Sequence, residues 1–152
     1  MSMEYISLAS VFETGGLYKN IPGTTAEEVF SSICKTVKLP KGLAPSELHD
    51  ALCAREAINT TAVGNGIAIP HSKTPMVKDV SEQRIAICYL REPIDMNAPD
   101  GRKVFVMFLI LSSNVHFHQQ MIVQLASLFK RSDFRKALEA HSDLDTLTSF
   151  IN

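Results

Sequence analysis

Apolar residues recur along this chain at helical and strand spacings that alternate loosely, which predicts an α/β arrangement with one central mixed sheet between helical layers. Thr25-Ala-Glu-Glu28 has the spacing of a capping box, and Val29, Ile33 and Val37 follow on one helical face, so a first helix is expected to start there. After Pro40, Lys41 and Gly42, a second helix is predicted from about Ser46 to Glu56, with Leu48, Ala51 and Leu52 turned inward. Arg55 continues that stripe, seven positions after Leu48. A guanidinium on an apolar face is costly unless it meets an anion or a carboxylate.

Three apolar stretches, Ile67 to Ile69, Ile85 to Leu90 and Val104 to Leu111, predict strands. The last two are continuous rather than alternating, as in strands covered on both faces by helices. Between them lie residues 93–101 (PIDMNAPDG), where Asp100-Gly101 is the strongest turn signal in the chain. A third long helix is expected from His118 to Phe129, with Ile122, Leu125 and Phe129 on one stripe and His118 at its N-terminal end. Ser132 is expected to cap a short helix to Ala140, and Ser142-Asp-Leu-Asp145 to open a last one carrying Leu144, Leu147 and Ile151. No repeat, low-complexity stretch or linker interrupts the pattern, so residues 1–152 read as one domain.

Composition narrows the function. The chain is 45% apolar and 20% charged with a formal charge of −1, which is globular and gives no global reason to bind nucleic acid or an anionic membrane. Cys34, Cys53 and Cys88 lie far apart in apolar surroundings, an odd total without a Cys-x-x-Cys pair, and this suits a reducing, cytoplasmic compartment. The N-terminal stretch to Ser10 carries acidic Glu4 rather than a basic run, unlike a secretory signal. The longest apolar run, Val104 to Leu111, is less than half of the roughly 20 residues that a membrane helix needs.

Chemistry concentrates at residues 64–71 (GNGIAIPH). Two glycines and a short apolar strand deliver His71 to a strand end stiffened by Pro70, which fixes φ and lacks an amide, so the imidazole is expected to face an opening. Ile69 stands where a dinucleotide fingerprint needs a third glycine, and the chain has neither a P-loop nor a Gly-x-Ser-x-Gly elbow. The sequence leaves a Cys–His nucleophilic pair open, although no cysteine sits in a polar, turn-rich setting that would lower its pKa. His71, His116 and His118 could meet at a metal, but the second and third are two apart at a helix start, without a His-Glu-x-x-His motif or nearby carboxylates.

What remains is an imidazole that carries a group itself. Neutral histidine is a competent nucleophile near pH 7. If it accepts a phosphoryl group, the new charge must be held by fixed cations and N–H donors. Arg55 is the candidate cation, with a planar fork that matches phosphate oxygens, and His118 the candidate orienting donor. Each has a plainer reading: a strand-end His71, an Arg55 paired with Glu56 or Asp95, a His118 that caps its helix. His49 and His141 read as surface residues, and Lys130, Arg131, Arg135 and Lys136 as solvated helix ends or part of a docking rim.

These residues carry a resemblance. Arg55-Glu56, Thr60-Thr61 and the run from Gly64 to His71 match in type and spacing the signature of enzyme IIA domains of the fructose/mannitol type, including nitrogen-regulatory relatives, from the bacterial phosphoenolpyruvate-dependent phosphotransferase system. Pro93-Ile-Asp95 through Asp100-Gly101 to Val104 and the segment from His118 through Leu128-Phe129 are also similar, so the likeness covers nearly the whole chain. It implies that His71 is phosphorylated on Nε2 by the small carrier HPr or its nitrogen-branch counterpart, and that Arg55 and His118 hold the group. Thr61, Gly64 and Gly66 are implied as supports of the phosphate site. The group would pass to a separate enzyme IIB protein in sugar uptake or, alternatively, its presence would gate binding to a regulated target; no cofactor or metal is implied. Ala62 stands where the family often has glycine, and Ser72 where glycine commonly follows the histidine. His116 is a second candidate partner for His71.

Overall fold

Eleven regular elements run along the chain in the order α1 (Leu8–Gly15), β1 (Leu17–Ile21), α2 (Ala26–Thr36), α3 (Pro45–Ile58), β2 (Ala62–Gly64), β3 (Ile67–Ala68), β4 (Arg84–Ile94), β5 (Val104–Leu111), α4 (Val115–Phe129), α5 (Ser132–Glu139) and α6 (Leu144–Thr148), with a 3-10 turn at Val80–Glu82. The structure is a computed structural model and describes residues 6–151. Glu4, which bears on the reading of the N-terminus, lies outside them.

The five strands form one mixed sheet in the order β1-β4-β5-β3-β2. β4 pairs antiparallel with β5, while β1 on β4 and β3 on β5 are parallel pairs. Both central strands are apolar on both faces, and each face packs its own core. Ala86, Cys88, Met107 and Leu109 meet Phe30, Ile33, Leu48 and Leu52 from α2 and α3. Ile85, Ile87, Phe108 and Ile110 meet Phe12, Met121, Leu125, Phe134 and Leu147 from α1, α4, α5 and α6. The expected α/β sandwich of helices around a mixed sheet is therefore what folds, and each large side chain so buried contributes about 1.5–3 kcal/mol.

Local chemistry sets the helix boundaries. Thr25 Oγ1 accepts from Glu28 N at 3.2 Å, but the Glu28 carboxylate returns to Thr24 N at 2.9 Å, so the capping box closes one residue earlier than its pattern suggests. α3 runs from Pro45 to Ile58, beyond the predicted end at Glu56. α4 begins three residues before His118, because Asn114 Oδ1 accepts from Phe117 N at 2.8 Å and caps it. Its buried residues are Phe117, Met121, Leu125, Leu128 and Phe129, so Leu125 and Phe129 face inward as expected, while His118 and Ile122 lie on the flank. Ser132 lies inside α5 instead of capping it, and α6 ends at Thr148, before Ile151. Asp143 caps α6 through Thr146 N at 2.9 Å. α1, β1 and β2 are additional to the predicted elements.

Candidate active site

A relay of hydrogen bonds carries the end of α3 to His71. Glu56, in the last turn of α3, accepts from Thr61 N at 3.1 Å and from Thr61 Oγ1 at 2.6 Å. Thr61 O accepts from Ile69 N at 3.0 Å, and Ile69 O in turn takes His71 Nδ1 at 2.7 Å. A carbonyl can only accept, so Nδ1 carries the proton and Nε2 keeps its lone pair. Among the described residues nothing in the protein hydrogen-bonds that Nε2. Pro70 ends the ladder on one side only, since its carbonyl still accepts from Ile110 N of β5 at 3.0 Å.

Thr61, Gly64 and Gly66 stand in the hairpin that leads to His71, not on the depression it faces. The turn of that hairpin needs positive φ at three successive positions, Gly64 (+99°), Asn65 (+56°) and Gly66 (+79°). Asp100 Oδ2 accepts from Asn65 N at 2.8 Å, and Gly66 O accepts from Phe105 N at 2.8 Å, so the predicted Asp100-Gly101 turn anchors the glycine turn. A Cβ on Gly66 would meet the Phe105 ring at 2.5 Å.

His71 and His118 share a depression of about 120 Å³, together with Ser72, Lys73, Ser112, Val115 and Gln119. Their ring centroids are 4.9 Å apart. Burial pushes the His118 pKa down to about 4, aided by the charges of His71 and Arg55. Burial likewise lowers that of His71, against the Ile69 hydrogen bond and with help from Arg55. The Arg55 charge acts on both rings, although Arg55 does not line the depression that they share. It is half-buried, donates Nη1 to Asn59 O at 2.6 Å, and takes part in no ion pair among the described residues; Glu56 is occupied by Thr61 instead.

His116 is turned away, exposed, with Nε2 at 2.9 Å from Gln120 Nε2. The alternative pairing of His116 with His71 is therefore not formed. Among the described residues no group of three His, Cys, Asp or Glu converges as metal ligands would. Ser72 directs its hydroxyl to Thr74 O. His49 is half-buried at the surface, with its Nε2 3.2 Å from Glu27 O, and the exposed His141 stacks on Tyr89 at 4.5 Å. Lys130 and Arg135 border an apolar groove of about 420 Å³ beside the hairpin, lined by Val63, Ile69, Ile122 and Leu125. Arg131 instead pairs with Asp133 at 2.9 Å. Ser112 is the site residue that sequence reasoning missed: between an apolar strand and a helix cap it reads as an ordinary turn serine.

The depressed His118 pKa has a thermodynamic consequence. Between about pH 6.5 and pH 4 the unfolded chain binds a proton at this residue that the folded chain excludes. Stability therefore falls as pH is lowered through that window, and His71 adds in the same direction. We expect the thermal midpoint to drop between about pH 6.5 and pH 4, and His118→Gln to flatten part of that drop. Differential scanning calorimetry across the window checks this; equal slopes in the two proteins would refute the assignment.

A neutral imidazole with an open Nε2, beside a second neutral imidazole and in the field of a guanidinium, suits phosphoryl transfer through nitrogen, and fold and family match together define a component of a phosphotransferase system. Residues 14–152 match the family model described as "Phosphoenolpyruvate-dependent sugar phosphotransferase system, EIIA 2", and the chain belongs to that family. It is 29% identical over 150 residues to a nitrogen regulatory protein of Pseudomonas aeruginosa, covering 96% of this chain and 95% of that one. The fold is similar to that of nitrogen regulatory protein IIA-Ntr from Neisseria meningitidis, with a TM-score of 0.77 at 22% identity over 95% of this chain and 98% of that one. It is also similar to enzyme IIA of the mannitol system from Escherichia coli, in a complex with phosphorylated enzyme IIB, with a TM-score of 0.66 at 18% identity over 88% and 92% of the two chains. Among the described residues no helix is long and apolar enough to cross a membrane.

Proposed function

We propose that this chain is a cytoplasmic phosphocarrier, residues 1–152 forming one IIA domain, that accepts a phosphoryl group on His71 Nε2 from a phosphohistidine of HPr or a nitrogen-branch counterpart. The observation that carries this reading is the bond from His71 Nδ1 to Ile69 O, which leaves Nε2 as the open nucleophile. The Nε2 lone pair forms a new N–P bond while the donor's N–P bond breaks and its electron pair returns to the donor nitrogen. The ring gains positive character as it takes the group, and the Ile69 carbonyl stabilises the proton that stays on Nδ1. Arg55 and His118 balance the anionic oxygens. Exchange of one N–P bond for another leaves the protein little to supply beyond placement and charge.

The group then passes to a separate enzyme IIB protein in sugar uptake. The groove bordered by Lys130 and Arg135, beside the hairpin that ends in His71, gives such partners an apolar surface with a basic rim. A second reading is favoured by the relative matched over nearly its whole length, a nitrogen regulatory protein: the phosphorylation state of His71 gates binding to a non-transport target.

Incubation with phosphoenolpyruvate, enzyme I and HPr is expected to add one acid-labile phosphate to this chain, with a phosphorus NMR signal of Nε2-phosphohistidine. No incorporation from HPr or its nitrogen-branch counterpart would refute the carrier reading. Discharge of the label onto a IIB protein would favour transport, and capture of another protein by only one of the two states would favour regulation.

A further inference from the structure

A neutral imidazole has one N–H to give, and which nitrogen bears it decides whether His118 helps or opposes an incoming anion. With the proton on Nδ1, Nε2 would present a lone pair to phosphoryl oxygens. With the proton on Nε2, it donates to them. His71 has its tautomer set by the Ile69 carbonyl, whereas His118 lies in a helix and, among the described residues, no backbone carbonyl accepts from its ring.

Its Nδ1 lies 3.4 Å from Ser112 Oγ. Ser112 is only 5% exposed and follows directly on β5, and its own carbonyl is held by Val77 N at 3.3 Å. Among the described residues no buried side-chain oxygen or nitrogen is left without a partner, and His118 Nδ1 is the one partner of this hydroxyl. A hydroxyl can donate or accept here, so the bond alone leaves the tautomer open. The surroundings decide it. Nδ1–H on His118 would leave unprotonated Nε2 atoms on both rings, 4.9 Å apart by centroids, beside a site that is to hold an anion. An Oγ–H to Nδ1 bond instead leaves His118 Nε2–H free to donate, while satisfying the buried hydroxyl.

We propose that Ser112 is a positioning residue: its hydroxyl donates to His118 Nδ1 and fixes the Nε2–H tautomer that stabilises the phosphoryl group at His71. The inference rests on the phosphocarrier reading for its catalytic consequence, whereas the tautomer itself is measurable in the unmodified protein. No covalent bond to Ser112 forms at any stage.

The test is long-range proton–nitrogen NMR of the histidine-labelled full chain at neutral pH, combined with the rate of phosphoryl transfer from phosphorylated HPr. Wild type is expected to show His118 with a protonated Nε2 and an unprotonated Nδ1. Ser112→Ala is expected to mix the two tautomers and slow transfer roughly fivefold to tenfold, the scale of one lost hydrogen bond. Ser112→Thr, which keeps the hydroxyl, should restore both. An Nδ1–H tautomer in wild type overturns the proposal, and so does a Ser112→Ala protein with unchanged tautomer, whatever its rate. If wild type shows the expected tautomer but His71 takes no phosphate, the carrier reading fails while the hydroxyl's control of the ring stands.

Discussion

His71→Ala is expected to abolish acid-labile phosphate incorporation while leaving the fold intact. The alanine side chain has no nitrogen to form an N–P bond, and neither neighbouring ring replaces it. His118 has its Nδ1 engaged by Ser112 Oγ, and His116 points toward Gln120. The cost to stability is small, because His71 is half-buried and its side chain makes one hydrogen bond, to Ile69 O. Losing it costs about 1 kcal/mol. Intact-mass measurement after incubation with phosphoenolpyruvate, enzyme I and HPr reads the outcome directly, and circular dichroism confirms the fold. Label that persists in this variant would move the acceptor to another residue. His118→Gln should still be labelled, only more slowly, since it removes a donor and not the nucleophile.

The largest stability effect is expected at Gly15→Ala, far from that chemistry. The last residue of α1 lies directly on β4, and a Cβ there would sit 2.0 Å from Ile85 O and 2.3 Å from Ile85 C. These are backbone atoms of a central strand, so the neighbour cannot rotate away. The helix must lift instead, and Phe12, now fully buried, loses part of its packing against Phe108. Overpacking of this kind costs about 3 kcal/mol or more. For a chain of this size that lowers the thermal midpoint by roughly 10 °C. Urea or thermal unfolding of the two proteins measures it, and a change below about 0.5 kcal/mol would show that α1 docks otherwise. The helix propensity of alanine acts in the opposite direction but is worth only about 1 kcal/mol.

Much of the fold was legible in residue order. Ile85 to Leu90 and Val104 to Leu111 lack alternation because they fill two cores, and their continuity announced a sheet covered on both faces. The elements that escaped notice did so for separate reasons. Leu8, Val11 and Phe12 have helical spacing after a capping Ser7, but the helix is only eight residues long and ends in Gly15. β1 and β2 carried little signal. β1 is an edge strand with two exposed residues, and β2 is three residues long, its placement dependent on the turn at Gly64 to Gly66.

The chain by itself determined which atoms could do the chemistry: one histidine after a proline at a strand end, an arginine on an otherwise apolar stripe, and a second histidine near a helix start. It could do so because type and spacing restrict which groups can share a face. Tertiary structure decided what those atoms are. Only folding turns Nδ1 onto the Ile69 carbonyl and leaves Nε2 unbonded, keeps His118 neutral to a lower pH, and turns His116 toward Gln120. Proton placement depends on how each ring is turned toward its acceptor and charge on the water that the packed surroundings exclude, and residue order alone gives neither.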